Sequence, residues 1–269
     1  MEPISQWRPA RFADIIGTVN APVVRRLQEA ARHRRPLKGI LVGPFGTVKT
    51  SIARLLMRSY VCTNPDPATA DPCGQCRHCR EAVPEYNGEP LKYRHWEIDC
   101  TQPGIDRAFI GGIVSEVRDD YVPPFLIADE IHRLSERSAQ EALLKFVEDL
   151  RDGVFLAAVM TDATTGCPRK ILPALFDRLT PYRFAVPTVD ELVAGLRPRL
   201  VGWGVAATED AVPYLVDRTN RSFRTCLRIV EEALQCNGGR LDREWIDQTL
   251  GSGPDDPTAS ADPFADDDF

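Results

Sequence analysis

Apolar residues fall along this chain in two ways, as short unbroken runs and as helical repeats, and the two kinds alternate. The runs at Gly39–Gly43, Phe125–Ala128 and Val154–Met160 lack polar alternation, which predicts strands buried on both faces of a sheet. Tyr93–Asp99 and Tyr182–Val186 read as edge or neighbouring strands. Between the runs, Ile52, Ala53, Leu55 and Leu56 open one helix. Ala139, Leu143, Phe146, Val147 and Leu150 give a second helix an apolar stripe, with Ser135 as its cap. Strands alternating with helices through residue 187 predict an α/β domain with a mostly parallel sheet over residues 1–187. After that point the signals are helical. Thr188 and Glu191 have capping-box spacing, Thr208 starts another helix, and Gly238-Gly239 stops the one holding Cys226 to Leu234. A small helical domain is therefore expected over 188–250. From 251 to 269 Asp, Pro, Ala and Ser leave too little apolar surface for a core, which predicts a disordered acidic tail.

Composition narrows the class of protein. With 43% apolar residues in 269, the chain can build one large or two modest cores. The longest apolar run, Val154–Met160, is too short to cross a bilayer, and the opening Met-Glu-Pro-Ile-Ser-Gln-Trp has no basic stretch followed by an apolar one. The expectation is a cytoplasmic protein with no membrane contact. The formal charge of −6 is carried by six aspartates in the tail (255, 256, 262, 266, 267 and 268), leaving 33 basic and 33 acidic residues elsewhere. Arg25, Arg26, Arg32, Arg34, Arg35 and Lys38 lie close together, a run that suits a solvated helix face better than a nucleic-acid surface.

Two segments carry candidate chemistry for nucleotides. Gly43-Pro-Phe-Gly46-Thr47-Val48-Lys49-Thr50-Ser51 follows a buried strand and opens a helix, the context of a Walker A loop. In such a loop backbone N–H groups surround the phosphates, the Lys49 ammonium reaches the β- and γ-phosphates, and the Thr50 hydroxyl ligates magnesium. One position departs from the pattern. Val48 stands where glycine is usual, and a β-branched residue is expected to resist a tight, phosphate-hugging backbone and to weaken binding. Downstream, Phe-Leu-Ile-Ala-Asp129-Glu130 is a strand ending in two carboxylates, as in Walker B. Asp129 can hold the magnesium shell and Glu130 can orient or deprotonate the attacking water, while His132 reads as a local hydrogen-bonding residue.

Of eight cysteines, four crowd into Cys62, Cys73, Cys76 and Cys79 with the spacing C-x10-C-x2-C-x2-C. Four thiolates with no open position suit a structural, tetrahedral zinc site, with Gly74 turning the chain around the metal. A set of free thiols is the alternative, as is a site in which His78 replaces one ligand. Cys100, Cys167, Cys226 and Cys236 lie apart and read as small core residues.

Together these residues resemble the ATPase core of the bacterial DNA polymerase III gamma/tau subunit, the motor of the sliding-clamp loader, over residues 7 to 250. The likeness is carried by Trp7-Arg8-Pro9, Phe12-Ala-Asp-Ile-Ile-Gly17, Lys49-Thr-Ser-Ile-Ala-Arg-Leu-Leu56, the zinc cysteines, Glu97-Ile-Asp99, Asp129-Glu-Ile-His132 and Ala142-Leu-Leu-Lys145. It implies a P-loop AAA+ fold with a zinc module inserted after the Walker A helix and a helical lid domain behind the sheet domain. It also implies roles for particular residues. Trp7, Arg8 and Pro9 would help frame an adenine pocket, and Thr161 would stand at the sensor 1 position. Arg178 would be the finger offered in trans to a neighbour's γ-phosphate, and Arg224 the sensor 2 arginine of the lid. A plain surface arginine is the alternative at both positions. Departures from the family are Val48, the Asp177 and Leu179 flanks of Arg178, and Val147-Glu-Asp-Leu-Arg151 in place of Leu-Glu-Glu-Pro-Pro.

The function this resemblance implies is an ATP-binding subunit that loads a sliding clamp onto primed DNA, with ATP, Mg2+ and Zn2+ as cofactors. Its partners would be other clamp-loader subunits in a homo- or hetero-oligomer of pentameric type, the clamp and primer-template DNA. The family's third, collar domain is not matched, so assembly is expected to use partners' collars or the AAA+ faces. Two alternatives stand beside this reading: a non-hydrolysing structural subunit, and a nucleotide-sensing replication adaptor. The tail Asp262-Pro-Phe-Ala-Asp-Asp-Asp-Phe269 sets aromatics among carboxylates and resembles the acidic tips of single-stranded-DNA-binding proteins, implying docking to a replication partner.

Overall fold

The computed structural model describes residues 4, 7–81, 95–118, 123–134, 136–161 and 170–251. The chain divides into two compact units, Arg8–Pro187 and a second made of Met1–Trp7 with Thr188–Phe269.

In the first unit, five strands form one sheet: β1 Leu37–Gly43, β2 His95–Asp99, β3 Phe125–Asp129, β4 Val154–Met160 and β5 Thr180–Arg183. Their order is β2-β3-β4-β1-β5, and every neighbouring pair is parallel. The helices of this unit are α1 Ala21–Arg32, α2 Lys49–Val61, α3 Arg77–Glu81, α4 Arg107–Arg118, α5 Arg137–Asp149 and α6 Pro173–Phe176. Because successive strand residues point to opposite faces, the unbroken apolar runs feed two cores. Ile40, Val42, Leu126, Ala128, Phe155 and Ala157 pack with Ile110 of α4 and Leu143 and Phe146 of α5. Leu41, Phe125, Ile127, Leu156 and Ala158 pack on the other side with Leu27 of α1 and Ile52, Leu55 and Leu56 of α2. The unit is a three-layered αβα sandwich, and all five strand C-termini lie at one edge of its sheet.

Several elements differ in extent from the sequence reading: β1 begins at Leu37 and not Gly39, β3 reaches Asp129, and residues 93 and 94 of the strand expected at Tyr93–Asp99 lie outside the described residues. The last strand was expected at Tyr182–Val186 but runs Thr180–Arg183, followed by one further bond in which the Phe184 N–H donates to the Val42 carbonyl at 2.7 Å. At Ala185 the Asn20 side chain takes over, accepting from its N–H at 2.9 Å and donating to its carbonyl at 3.0 Å, which ends the ladder. Helix α5 starts at Arg137 with an extended Glu136 before it, and Ser135 lies outside the described residues.

The second unit holds α7 Val189–Trp203, α8 Ala211–Arg218, α9 Phe223–Cys236 and α10 Arg243–Leu250. The capping box before α7 is formed: the Glu191 N–H donates to Thr188 Oγ1 at 3.2 Å, and the Thr188 N–H donates to Glu191 Oε2 at 2.9 Å. Helix α8 begins three residues after Thr208, whose hydroxyl donates to Asp210 Oδ1 at 2.9 Å and whose carbonyl accepts the Ala211 N–H in a preceding turn. After α9, Gly238 and Gly239 are both left-handed, and the Gly239 N–H closes the helix on the Ala233 carbonyl. Two short strands were not anticipated, β6 Ala206–Ala207 and β7 Arg240–Leu241, paired in parallel. At two residues each they leave no periodic signature. Of the segment read as a tail, 251–269, residues 252–269 lie outside the described residues. Among the described residues no helix is long and apolar enough to cross a membrane.

Candidate functional site

A parallel sheet gathers its strand ends, and here it gathers the candidate nucleotide residues. Gly43 ends β1, and the loop that follows delivers the chain into α2 at Lys49. Gly46 has φ +75, a left-handed turn that favours glycine, so this residue answers a conformational demand. Val48 has φ −62 and ψ 22, open to any L-residue, and its side chain packs against the α1/α2 core. The obstacle foreseen at Val48 is therefore its isopropyl bulk and not its backbone.

Lys49 is 3% exposed, and its ammonium donates to the carbonyls of Gly43 at 3.0 Å and Pro44 at 2.8 Å and to Thr47 Oγ1 at 3.3 Å. The loop thus curls around its own cation. One residue on, the Thr50 hydroxyl donates to Asp129 Oδ2 at 2.8 Å, joining two groups 79 positions apart in sequence. Ser51 follows, half-buried in the first turn of α2. Two oxygen ligands of the kind magnesium prefers are thereby side by side, although a hydroxyl and a carboxylate in contact are also a plain hydrogen bond.

Glu130 takes a left-handed conformation, φ +50, which costs a non-glycine residue on the order of 1 kcal/mol. Its carboxylate lies 3.3 Å from Nε2 of His132, whose side chain is 5% exposed. Strand β4 lies between β1 and β3. Thr161, just past its end, donates its N–H to the Gly43 carbonyl at 3.3 Å, which sets it between the loop strand and the strand of Asp129. Sequence order conceals that placement.

A pair that the motif reading passed over braces this edge. Arg54 on α2 makes a forked contact with Glu97 on β2, at 2.6 to 3.0 Å, and the carboxylate side is 9% exposed. The hydrogen bond to Glu97 raises the Arg54 pKa above its usual value against the opposing effect of burial, with Glu97, Asp129 and Asp99 adding charge attraction. Asp99 is held below the ordinary carboxylate range: burial opposes this, but Thr101 and Gln102 donate to it and Arg54 is near. Cys100, behind them, is pushed up to about 12 by burial and by Asp129, Asp99 and Glu130. The signal for Arg54 and Glu97 was in the sequence, as charged residues inside an apolar helix and strand, but their partnership was not.

The remaining candidates lie on other elements. Arg178 follows α6, is 53% exposed and pairs with Glu148 of α5 at 3.3 Å. Arg224 is exposed in the first turn of α9, in the second unit. The Trp7-Arg8-Pro9 trio is divided between units: Trp7 packs edge-on to Phe223 at 5.9 Å beneath the Arg199 guanidinium at 4.5 Å, while Arg8, exposed, and Pro9, buried, begin the first unit.

The four clustered cysteines converge. Their sulfurs all lie within 4.8 Å of one another, with Cys73 and Cys79 at 3.9 Å and Cys62 and Cys76 at 4.0 Å. Tetrahedral zinc–thiolate bonds of about 2.3 Å imply sulfur–sulfur edges of about 3.8 Å, so the cluster has the size of a metal cage, and no pair is close enough for a disulfide. Backbone N–H groups of Asn64 and Cys73 point at Cys62 Sγ, that of Cys76 at Cys73 Sγ and that of Cys79 at Cys76 Sγ, at 3.3 to 3.4 Å. Such donors stabilise thiolates. Gly74 turns this knuckle at φ +69. Burial opposes ionisation of Cys76, yet donors from Thr63 and Cys79 bring its thiol down to about 5. The Cys62–Cys79 segment is sewn to its surroundings: Asp71 accepts the Phe12 N–H at 2.7 Å, the Ala70 carbonyl accepts from Ser59, and the Cys62 carbonyl accepts from Arg34 at 2.6 Å.

Comparison with known proteins gives this edge a context. No protein-family model matches the chain. Over 236 residues it is 30% identical to the DNA polymerase III subunit gamma/tau of Mycobacterium tuberculosis (strain H37Rv), which covers 85% of this chain and 38% of the relative. Over 260 residues it is 27% identical to the DNA polymerase III subunit tau of Escherichia coli K12, covering 95% of this chain and 38% of that one. The chain is a homologue of the DNA polymerase III gamma/tau subunits. It spans under two-fifths of the length of these two relatives. A third relative, the DNA polymerase III subunit gamma of Buchnera aphidicola subsp. Acyrthosiphon pisum, is 26% identical over 93% of this chain and 66% of its own. Among solved structures, the Thermotoga maritima RuvB Holliday junction branch migration motor aligns with a TM-score of 0.61 at 18% identity, over 90% of this chain and 72% of that one. The likeness is one of fold, and the fold is AAA+. In this gamma/tau homologue the loop at Gly43 and the acids at Asp129 and Glu130 stand at the sheet edge where such folds receive ligands outside strand C-termini.

Proposed function

We propose that this gamma/tau homologue is an ATP-binding subunit of a clamp loader, acting in DNA replication to place a sliding clamp on primer-template DNA together with other loader subunits. The observation that supports it most is the 2.8 Å contact between Thr50 and Asp129, which unites the Walker A and Walker B segments in a chain of this ancestry. In this reading Lys49 exchanges its loop carbonyls for phosphate oxygens, and the loop N–H groups from Gly46 to Ser51 line the same seat. Thr50 and Asp129 would hold Mg2+, whose chemistry is to neutralise charge on the phosphates. Glu130 accepts a proton from water, and Thr161 holds its position between the two motifs. Arg178 serves a neighbour, and Arg224 serves from the helical unit. The four cysteines hold Zn2+ as a structural knuckle.

A second reading, a subunit that binds nucleotide without turning it over, is favoured by Val48, which stands where such loops usually carry glycine. ATP turnover by the purified chain, alone and with loader subunits, clamp and primed DNA, separates the two. Turnover that rises with DNA and clamp and vanishes in Lys49→Ala supports the first. Nucleotide binding with no turnover in the full mixture supports the second, and equal nucleotide affinity in Lys49→Ala and the parent chain overturns both.

A further inference from the structure

At the opposite end of the sheet, where β1, β3 and β4 begin, the first unit carries a cavity of about 340 Å³ that the nucleotide reading leaves unused. Its inner wall is Tyr60, Val61, Pro124, Phe125 and Val154, and its rim is Arg34, Arg35, Pro36, Pro123 and Asp152. The wall is preset. Tyr60 and Phe125 meet edge-on at 5.5 Å, and the Tyr60 hydroxyl donates to the Arg35 carbonyl at 2.7 Å, so ring and rim are tied together. Arg34 holds a left-handed backbone, φ +46, where glycine is the usual helix terminator, and its guanidinium reaches the Cys62 carbonyl at 2.6 Å. Arg35 and Pro36 are exposed beside it. Among the described residues the rim therefore carries two cations against one acid, around an aromatic and proline-lined floor.

That combination recognises an apolar ring flanked by carboxylates. Such chemistry is concentrated in one stretch of this chain. Residues 252–269 contain six aspartates, no basic residue, and Phe264 and Phe269 among them. We propose that this cavity is a peptide-binding site whose occupant is the segment Asp262–Phe269 of a second copy of the chain. A phenylalanine ring enters beside Tyr60 and Phe125, and neighbouring aspartates meet Arg34 and Arg35. Volume agrees, since the cavity lies at the lower end of the range for small-ligand sites and accepts one aromatic side chain with its flanks. Asp152 on the rim opposes the acidic segment and keeps the contact weak and reversible.

The test uses the intact chain and a fluorescein-labelled synthetic peptide of residues 256–269, read by anisotropy. Saturable binding that weakens as salt rises is expected. Arg35→Glu should weaken it by about tenfold, and Asp152→Lys should tighten it several-fold, to roughly the extent rim charges act. The second variant matters because a misfolded chain does not gain affinity. A peptide with Phe264→Ala and Phe269→Ala should lose binding. In sedimentation, the intact chain should self-associate and a chain ending at Gly251 should not. No saturable peptide binding, or binding unmoved by both rim variants, overturns the site. A monomeric intact chain at every concentration overturns the second-copy occupant.

Discussion

Val48 is the residue at which local chemistry and the proposed function meet most sharply. A glycine there would gain nothing from conformational freedom, because the backbone at φ −62 is open to every L-residue. It would lose the packing of the isopropyl group against the α1/α2 core and would loosen the unfolded chain. Val48→Gly should therefore lower stability by about 1 kcal/mol, measured by urea unfolding. If bulk is what holds the phosphates off, the same variant should raise nucleotide affinity, by less than about tenfold given a single side chain's worth of space. A loss of affinity would mean that Val48 supports the loop. Lys49, beside it, shows why the motif alone says little about the resting state. Its charge is already enclosed by three loop oxygens, so binding has to be an exchange of partners.

At the scale of elements, two fixtures tie α2 to its surroundings. One is the Arg54–Glu97 pair between α2 and β2, with Glu97 at 9% exposure. Removing the arginine leaves a carboxylate with little water, so Arg54→Met should destabilise the first unit by about 2 kcal/mol, the usual figure for a buried pair being reduced by the exposure of Arg54. Thermal unfolding checks this, and Glu97→Gln made together with it should recover part of the loss. The other fixture is the cysteine knuckle that follows α2. Metal analysis is expected to find one zinc per chain, and Cys76→Ser to abolish it. Because Asp71, Ala70 and Cys62 accept hydrogen bonds from Phe12, Ser59 and Arg34, chelation should increase amide exchange first at Phe12 and through 62–79, before the sheet strands. Uniform exchange on chelation would make the knuckle a part of the global core.

For the whole molecule, the proposed finger gives the most discriminating prediction. Arg178 and Glu148 are 53% and 45% exposed, so their ion pair contributes little. Arg178→Ala should leave stability within about 0.5 kcal/mol of the parent and nucleotide affinity unchanged. Turnover should fall only when other loader subunits are present, because in the proposed role the guanidinium acts on a neighbour's nucleotide. A fall in the isolated chain, or none in the assembly, removes the role. The division into two units bears on the same scale. Trp7 is counted with the helical unit through Phe223 and Arg199, so one short motif, Trp7-Arg8-Pro9, is shared by both units.

Much of this was legible in the residues alone. Unbroken apolar runs announce strands covered on both sides, and β4 was read to its ends because nothing polar interrupts Val154–Met160. That the Gly43–Ser51 and Asp129–Glu130 segments and the four cysteines are candidate sites was legible because phosphate, magnesium and zinc chemistry demand particular residue types at short spacings, and short spacings survive in one dimension. The capping box at Thr188 was legible for the same local reason. What depended on contacts between distant segments was not. The end of β5 is decided by Asn20 capturing Ala185, 165 positions away. Strand order alone puts Thr161 between Gly43 and Asp129, and only the folded sheet joins Arg54 to Glu97. The cavity at Tyr60 and Phe125 is made from residues of four separate stretches. Local backbone preference and ligand chemistry act over a few residues and so are written along the chain. Pairing, burial and the strain at Glu130 are set by which surfaces meet, and that was decided only when the chain closed on itself.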